Sequence, residues 1–361
     1  MTRINKLDGM RGLFCLFVVF FHFDSSLLPA FIGDNFIVRQ SESFVDFFFV
    51  LSGFLISMSY ESKIESWKSF WVYIRNRFFR IYPLLFVSTI IFLLALLVSN
   101  LLFPRLIHNS SSLYILLYQA MDTLLLTNST PILGDGLGLN FPTWSISSEM
   151  ISYMIFGIMI RIIPSPKRKL VVIALVVVCF MFLLSQERYF LTGSWGFVRG
   201  LLCFNLGYIV NLVSKRAFVL PSIFELISGI ALIILFYFLH QNNFTVRREL
   251  LALVFVPPLF ALFILVILKS NGLISKFLVS QPIQYVGKIS YSIYLNHALL
   301  VVVIPRILFD LFLIERTNLH LFLSLFMVLF ILLIYSNFTY NFIEQRLGNR
   351  LKNLFIKPES N

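Results

Sequence analysis

The sequence predicts an all-α membrane protein, a polytopic bundle of about ten transmembrane helices with both termini in the cytoplasm. Three observations lead there. The 361-residue chain is 58% apolar, with 42 phenylalanines, a mean hydropathy of +0.88 and only 13% charged residues, whereas soluble chains carry nearer a quarter charged residues. The apolar residues gather in runs of spanning length. The basic residues fall in alternate loops, as the preference of Lys and Arg for the cytoplasmic side demands.

Along the chain, Arg3 and Lys6 precede the first apolar run as they would in a signal peptide. No small-x-small cleavage site follows, so an uncleaved first span is expected over about 11–30. Further spans are expected near 44–60, 80–102, 146–163, 169–185, 197–213, 221–240, 250–268, 289–307 and 321–343. One long outer loop, 103–145, is rich in Asn, Ser, Thr, Gly and Pro, and includes the run 134–138. Within it, 113–126 is apolar but short for a span, and reads as a re-entrant or interfacial helix. Residues 1–346 form the transmembrane domain and 347–361 a short basic cytoplasmic tail.

With alternate loops assigned to the cytoplasm, 21 of the 29 Lys and Arg lie inside and seven outside, while Arg199 falls within a span. That asymmetry accounts for the net charge of +12 through topology and membrane lipids, with no nucleic acid as partner. Cys15, Cys179 and Cys203 all sit in apolar stretches and read as reduced packing residues. No Cys/His spacing resembles a metal site, so no metal is expected.

Ionisable residues at membrane depth carry the functional signal. Asp8-Gly9-Met10-Arg11-Gly12 opens the first helix, and His22 is its next ionisable group. Arg11 and His22 lie about 16 Å apart at helical rise, one at a membrane face and one well inside. Asp46, at the start of the second span, either caps that helix or stands beside His22 and orients its ring as a base. Arg77 and Arg80 mark the inner end of the third span, as topology anchors or as ligands for a phosphate-bearing molecule. Glu149 opens the fourth span, complementing the helix dipole or facing an outer substrate. Ser290, Tyr294 and His297 share a helix face, which suits a hydrogen-bonded helix seam as well as a site. Arg199 reads as a snorkelling side chain near an outer helix end.

Leu7–Gly12 followed by His22 resembles the opening of the membrane acyltransferase 3 family, whose hallmark is an Arg and a His with ten residues between them, as Arg11 and His22 have. Val45–Leu55 resembles that family's V-D-L-F-F-V-L-S-G-F-L segment, Arg77–Pro83 its R-x-x-R-I-x-P, and Trp144–Glu149 its W-S-L-x-x-E. Gly287–His297 and Tyr340–Glu344 resemble its two closing motifs, although Glu344-Gln345-Arg346 lacks the proline usual there. The C-terminal esterase-like domain of many members is not expected here.

The resemblance implies O-acylation of an extracytoplasmic or lipid-linked carbohydrate, such as O-antigen or exopolysaccharide, at the inner membrane of a bacterium. It implies acetyl-CoA or another acyl-CoA as donor. Arg77 and Arg80 would then hold the donor's phosphates, and Arg11 would steer it. His22, oriented by Asp46, would act as general base or transient acyl acceptor, with Glu149 on the acceptor side. The competing expectation is a polysaccharide exporter with His22 and Asp46 in a proton relay.

Overall fold

The computed structural model describes residues 4–102, 112–133, 138–186, 188–243 and 245–355. Arg3, Arg105, Lys357, the Gly-rich run 134–137 and the end of the tail lie outside them. The described residues are helical, without a strand. The chain begins with α1 (Asn5–Phe21), α2 (Ala30–Gly33), α3 (Phe36–Arg39), α4 (Phe44–Tyr60) and α5 (Trp67–Leu102). There follow α6 (Leu113–Leu124), α7 (Thr143–Ile162), α8 (Ser165–Ser185), α9 (Gly196–Ser214) and α10 (Ile223–Gln241). It closes with α11 (Val246–Lys269), α12 (Leu273–Leu278), α13 (Gln281–Arg306), α14 (Asn318–Thr339) and α15 (Gly348–Phe355). Wide π-helical turns follow α13 and α14, at Ile307–Leu311 and Tyr340–Leu347.

Nine helical segments among the described residues are long and apolar enough to cross a membrane. The tenth expected span, α1, has 17 residues and lies in the middle of the bundle; at about 1.5 Å per residue it falls just short of a full crossing. Its limits correct the expectation of 11–30. The helix starts six residues earlier and stops at Phe21, with His22 as its C-terminal cap. Polar and helix-breaking residues then redirect the chain. Asp24 accepts hydrogen bonds from the backbone N–H (2.9 Å) and hydroxyl (2.8 Å) of Ser26, which hold its carboxyl below the usual carboxylate range. Asn35 caps α3 through the Ile37 N–H at 2.9 Å.

The third expected span also changes. α5 begins at Trp67 rather than near residue 80 and runs for 36 residues. Arg75, Arg77 and Arg80 therefore ride on a helix instead of ending a loop. The stretch 113–126 does form a short helix, α6.

Two parallel helix pairs organise the centre. α1 and α13 run in register: Cys15 Sγ donates to the Ser290 carbonyl at 3.3 Å, and His22 meets His297. A Cβ on Gly12 would stand 2.5 Å from the Gly287 nitrogen, and one on Gly287 would stand 2.1 Å from the Asp8 carbonyl oxygen. The glycines of the opening motif thus let two backbones touch, the small-residue packing that lipid-embedded helices favour. α4 and α9 pack the same way, with a Cβ on Gly53 meeting the Phe204 carbonyl oxygen at 1.9 Å. Helices α8 and α10 turn most of their apolar surface outward, toward lipid.

Candidate active site

A cavity of about 360 Å³ opens between α1, α4, α5, α7 and α13. Its walls are mainly apolar, and its charged groups gather around the start of α1. Asp8, Arg11, Arg77 and Arg80 all line it. Arg11 donates to Asp8 at 2.5 Å, one turn back on the same helix. Arg77 donates to the Tyr60 hydroxyl at 3.1 Å, and its guanidinium lies 5.2 Å from that ring's centre. Arg80 is exposed within the cavity, and no hydrogen bond or salt bridge among the described residues engages it. A guanidinium with its donors uncommitted, in a mostly apolar recess, suits a phosphate or another planar or tetrahedral anion.

Glu149 lines this same cavity, and its carboxylate accepts from the Ser52 and Tyr153 hydroxyls. The expectation that Glu149 faces an outer substrate therefore needs correcting. It lies more than a turn into α7, and its side chain points inward at α4 rather than outward at the helix end. Ser52 and Tyr153 complete the cavity wall. As single polar residues in apolar runs, neither stood out in the sequence.

The cavity also reaches Cys15, Ser145, Ser290 and Tyr294. There the Tyr294 and Ser145 hydroxyls share a hydrogen bond of 2.8 Å, and Tyr294 also donates to the Pro142 carbonyl at 3.3 Å. One helical turn farther along α13 stands His297, fully buried. Its Nε2 lies 3.0 Å from Nδ1 of His22. The same Nδ1 lies 2.9 Å from the Val18 carbonyl oxygen. Phe141, from the segment before α7, packs on both imidazoles, with ring centres 4.6 Å from His22 and 6.1 Å from His297.

Asp46 does not take the place expected for it. Its carboxylate is held by Arg199, with Nε to Oδ1 at 2.7 Å and Nη2 to Oδ2 at 3.0 Å. Both side chains are fully buried. Arg199 also donates to the Glu42 carbonyl at 3.2 Å, and the rings of Trp144, Tyr189 and Phe190 surround it at 5.0–5.4 Å. Arg199 is consequently no snorkelling side chain. A buried carboxylate needs a full charge partner, and a guanidinium fork supplies two strong bonds where an imidazole supplies one. The partner of His22 is His297, which the sequence marked only as part of a polar stripe.

An α-helical membrane bundle with an arginine-lined cavity that reaches toward a buried histidine pair defines a class, that of polytopic membrane proteins with an internal site. The family model described as an acyltransferase domain matches residues 4–337, and the chain belongs to that family, the acyltransferase 3 family. The chain is also 35% identical over 150 residues to the acyltransferase MdmB of Streptomyces mycarofaciens, a stretch that makes up 39% of this chain and 35% of that protein. It thus spans about a third of that curated relative's length. No solved structure matches the chain.

Proposed function

We propose that this membrane protein transfers an acyl group, most simply acetyl, from acyl-CoA to a hydroxyl of a carbohydrate. The donor would come from the cytoplasm, and the acceptor would be an extracytoplasmic or lipid-linked glycan such as O-antigen or exopolysaccharide, in a bacterial inner membrane. One observation carries the reading: a cavity that begins at Arg11, Arg77 and the uncommitted Arg80 ends one turn short of the His22–His297 pair. Its volume is that of a small-ligand pocket. In this scheme the arginines hold the donor's phosphates, and the thioester arm lies along the apolar wall toward Cys15 and Tyr294. For the acyl carbon to meet His22, the Tyr294–Ser145 hydrogen bond must open. His22, half-buried where His297 is enclosed, then takes the proton of the attacking hydroxyl. As the hydroxyl oxygen bonds to the acyl carbon, the C–S bond breaks, and the proton passes to the departing CoA thiolate.

The test is release of free CoA from acetyl-CoA by membranes holding the full chain and the host glycan, beside the His22→Ala variant. A general base contributes about 10²–10⁴-fold, so transfer should fall by that factor while donor binding persists. A loss below about tenfold would remove His22 from the chemistry. Acyl label retained by the wild type and lost in His22→Ala would identify an acyl-histidine instead of a general base. Absence of any CoA release by the wild type, with glycan export dependent on the protein, would favour the exporter.

A further inference from the structure

Resting on that reading, we infer that His297 is the positioning partner of His22, doing for its imidazole what a carboxylate does for a catalytic histidine elsewhere. The reasoning starts from the hydrogens. A carbonyl oxygen can only accept, so the His22 Nδ1 that lies 2.9 Å from the Val18 oxygen carries a hydrogen. The His297 Nε2, 3.0 Å from that same N–H, must then offer its lone pair. His297 therefore keeps its own hydrogen on Nδ1, a buried atom that finds no hydrogen-bond partner among the described residues. This arrangement leaves Nε2 as the basic atom of His22.

When Nε2 takes the hydroxyl proton, the resulting imidazolium keeps its Nδ1 hydrogen. It shares that hydrogen between the Val18 carbonyl and the His297 lone pair. No proton needs to leave the pair, and the proton on Nε2 remains available to the thiolate. A neutral imidazole suits this burial, because a carboxylate here would need a full countercharge, which Arg199 supplies only to Asp46. The pair is also held rigidly. The parallel contact of α1 with α13, in register from Gly12 on Gly287 to His22 on His297, sets the distance between the rings, and Phe141 covers both.

The experiment compares His297→Leu, His297→Gln and His297→Asn with His22→Ala in the full-length protein, reading acetyl-CoA-dependent CoA release and binding of radiolabelled acetyl-CoA. The Gln amide reaches the place of Nε2 and can accept from His22; the Asn amide is one bond too short. Turnover in His297→Leu should fall about tenfold or more, with the KM for acetyl-CoA within about twofold of wild type. His297→Gln should recover part of the loss, and His297→Asn should not. Equal turnover in the Gln and Asn variants would overturn the inference, and this comparison decides even where His297→Leu fails to accumulate. A fully active His297→Leu beside an inactive His22→Ala would also overturn it while leaving the proposed reaction standing. A fully active His22→Ala would instead remove the base and the proposed reaction with it.

Discussion

Replacing Asp46 by Asn should unfold this protein before it touches its chemistry. The carboxylate and Arg199 are both fully buried and joined by two charge-assisted bonds of 2.7 and 3.0 Å. A neutral amide in place of that carboxylate would leave a guanidinium without a countercharge among Trp144, Tyr189 and Phe190. Removing one member of a buried pair costs about 3–5 kcal/mol, more than a hundredfold in the folded-to-unfolded ratio. Replacing both members by apolar residues of similar size is often neutral. Asp46→Asn and Arg199→Met should therefore each lower stability by about that amount, and Asp46→Leu combined with Arg199→Met should recover most of it. Fluorescence-detected size exclusion after graded heating, or unfolding in graded SDS, would measure the folded fraction. The double variant should also retain acyl transfer, since neither side chain lines the cavity or touches the histidine pair. An Asp46→Asn protein as stable as wild type yet inactive would refute the reasoning and return Asp46 to the reaction. So would a double variant no more stable than the singles.

Other outcomes follow from the same geometry. Arg80→Ala should weaken acetyl-CoA binding about 10- to 100-fold, because a charge-assisted contact to phosphate is worth about 1.5–3 kcal/mol; unchanged affinity would put the donor elsewhere. Glu149→Gln removes a negative charge from the arginine-lined cavity, so acetyl-CoA should bind several-fold tighter with acceptor KM unchanged, whereas a rise in acceptor KM alone would assign Glu149 to the glycan. Gly287→Ala sets a methyl group against the Asp8 carbonyl and should cost about 1–3 kcal/mol or more of stability, read by the same SDS titration. A reporter active only in the periplasm should be active when fused after Ser129 or Asn242 and silent after Pro221 or Gly272; reversal at any two sites would overturn the orientation.

The apolar runs and the loop asymmetry were enough to read most of the bundle. The expected limits of the helices from α7 to α11 agree with those observed to within a few residues, because lipid demands about 20 apolar residues per crossing and the flanking charges mark where each crossing stops. The reading slipped at α1, at α5 and at α13, which begins at Gln281 rather than near residue 289, because there the helix and the membrane segment do not coincide. α1 starts among polar residues and ends at a histidine, and α5 carries three arginines on a helix that continues past the apolar run. Hydropathy sees the lipid-facing part of a helix, not its hydrogen-bonded length.

The sequence by itself determined the fold class, the family motifs and the residue types from which a site could be built, among them His22, Arg11, Arg77, Arg80 and Glu149. Only the tertiary structure decided which of them meet. Asp46 and His22 stand near facing ends of α4 and α1, only 24 positions apart, yet Asp46 pairs with a residue 153 positions away and His22 with one 275 positions away. Glu149 likewise joined the arginine cavity instead of an outer surface. The physical reason is that hydropathy and spacing report how deep a residue lies along its own helix, while partnership depends on the rotation of each helix against its neighbours. Here that rotation was set by glycines whose backbones had to touch, and by a buried carboxylate that only a guanidinium could match.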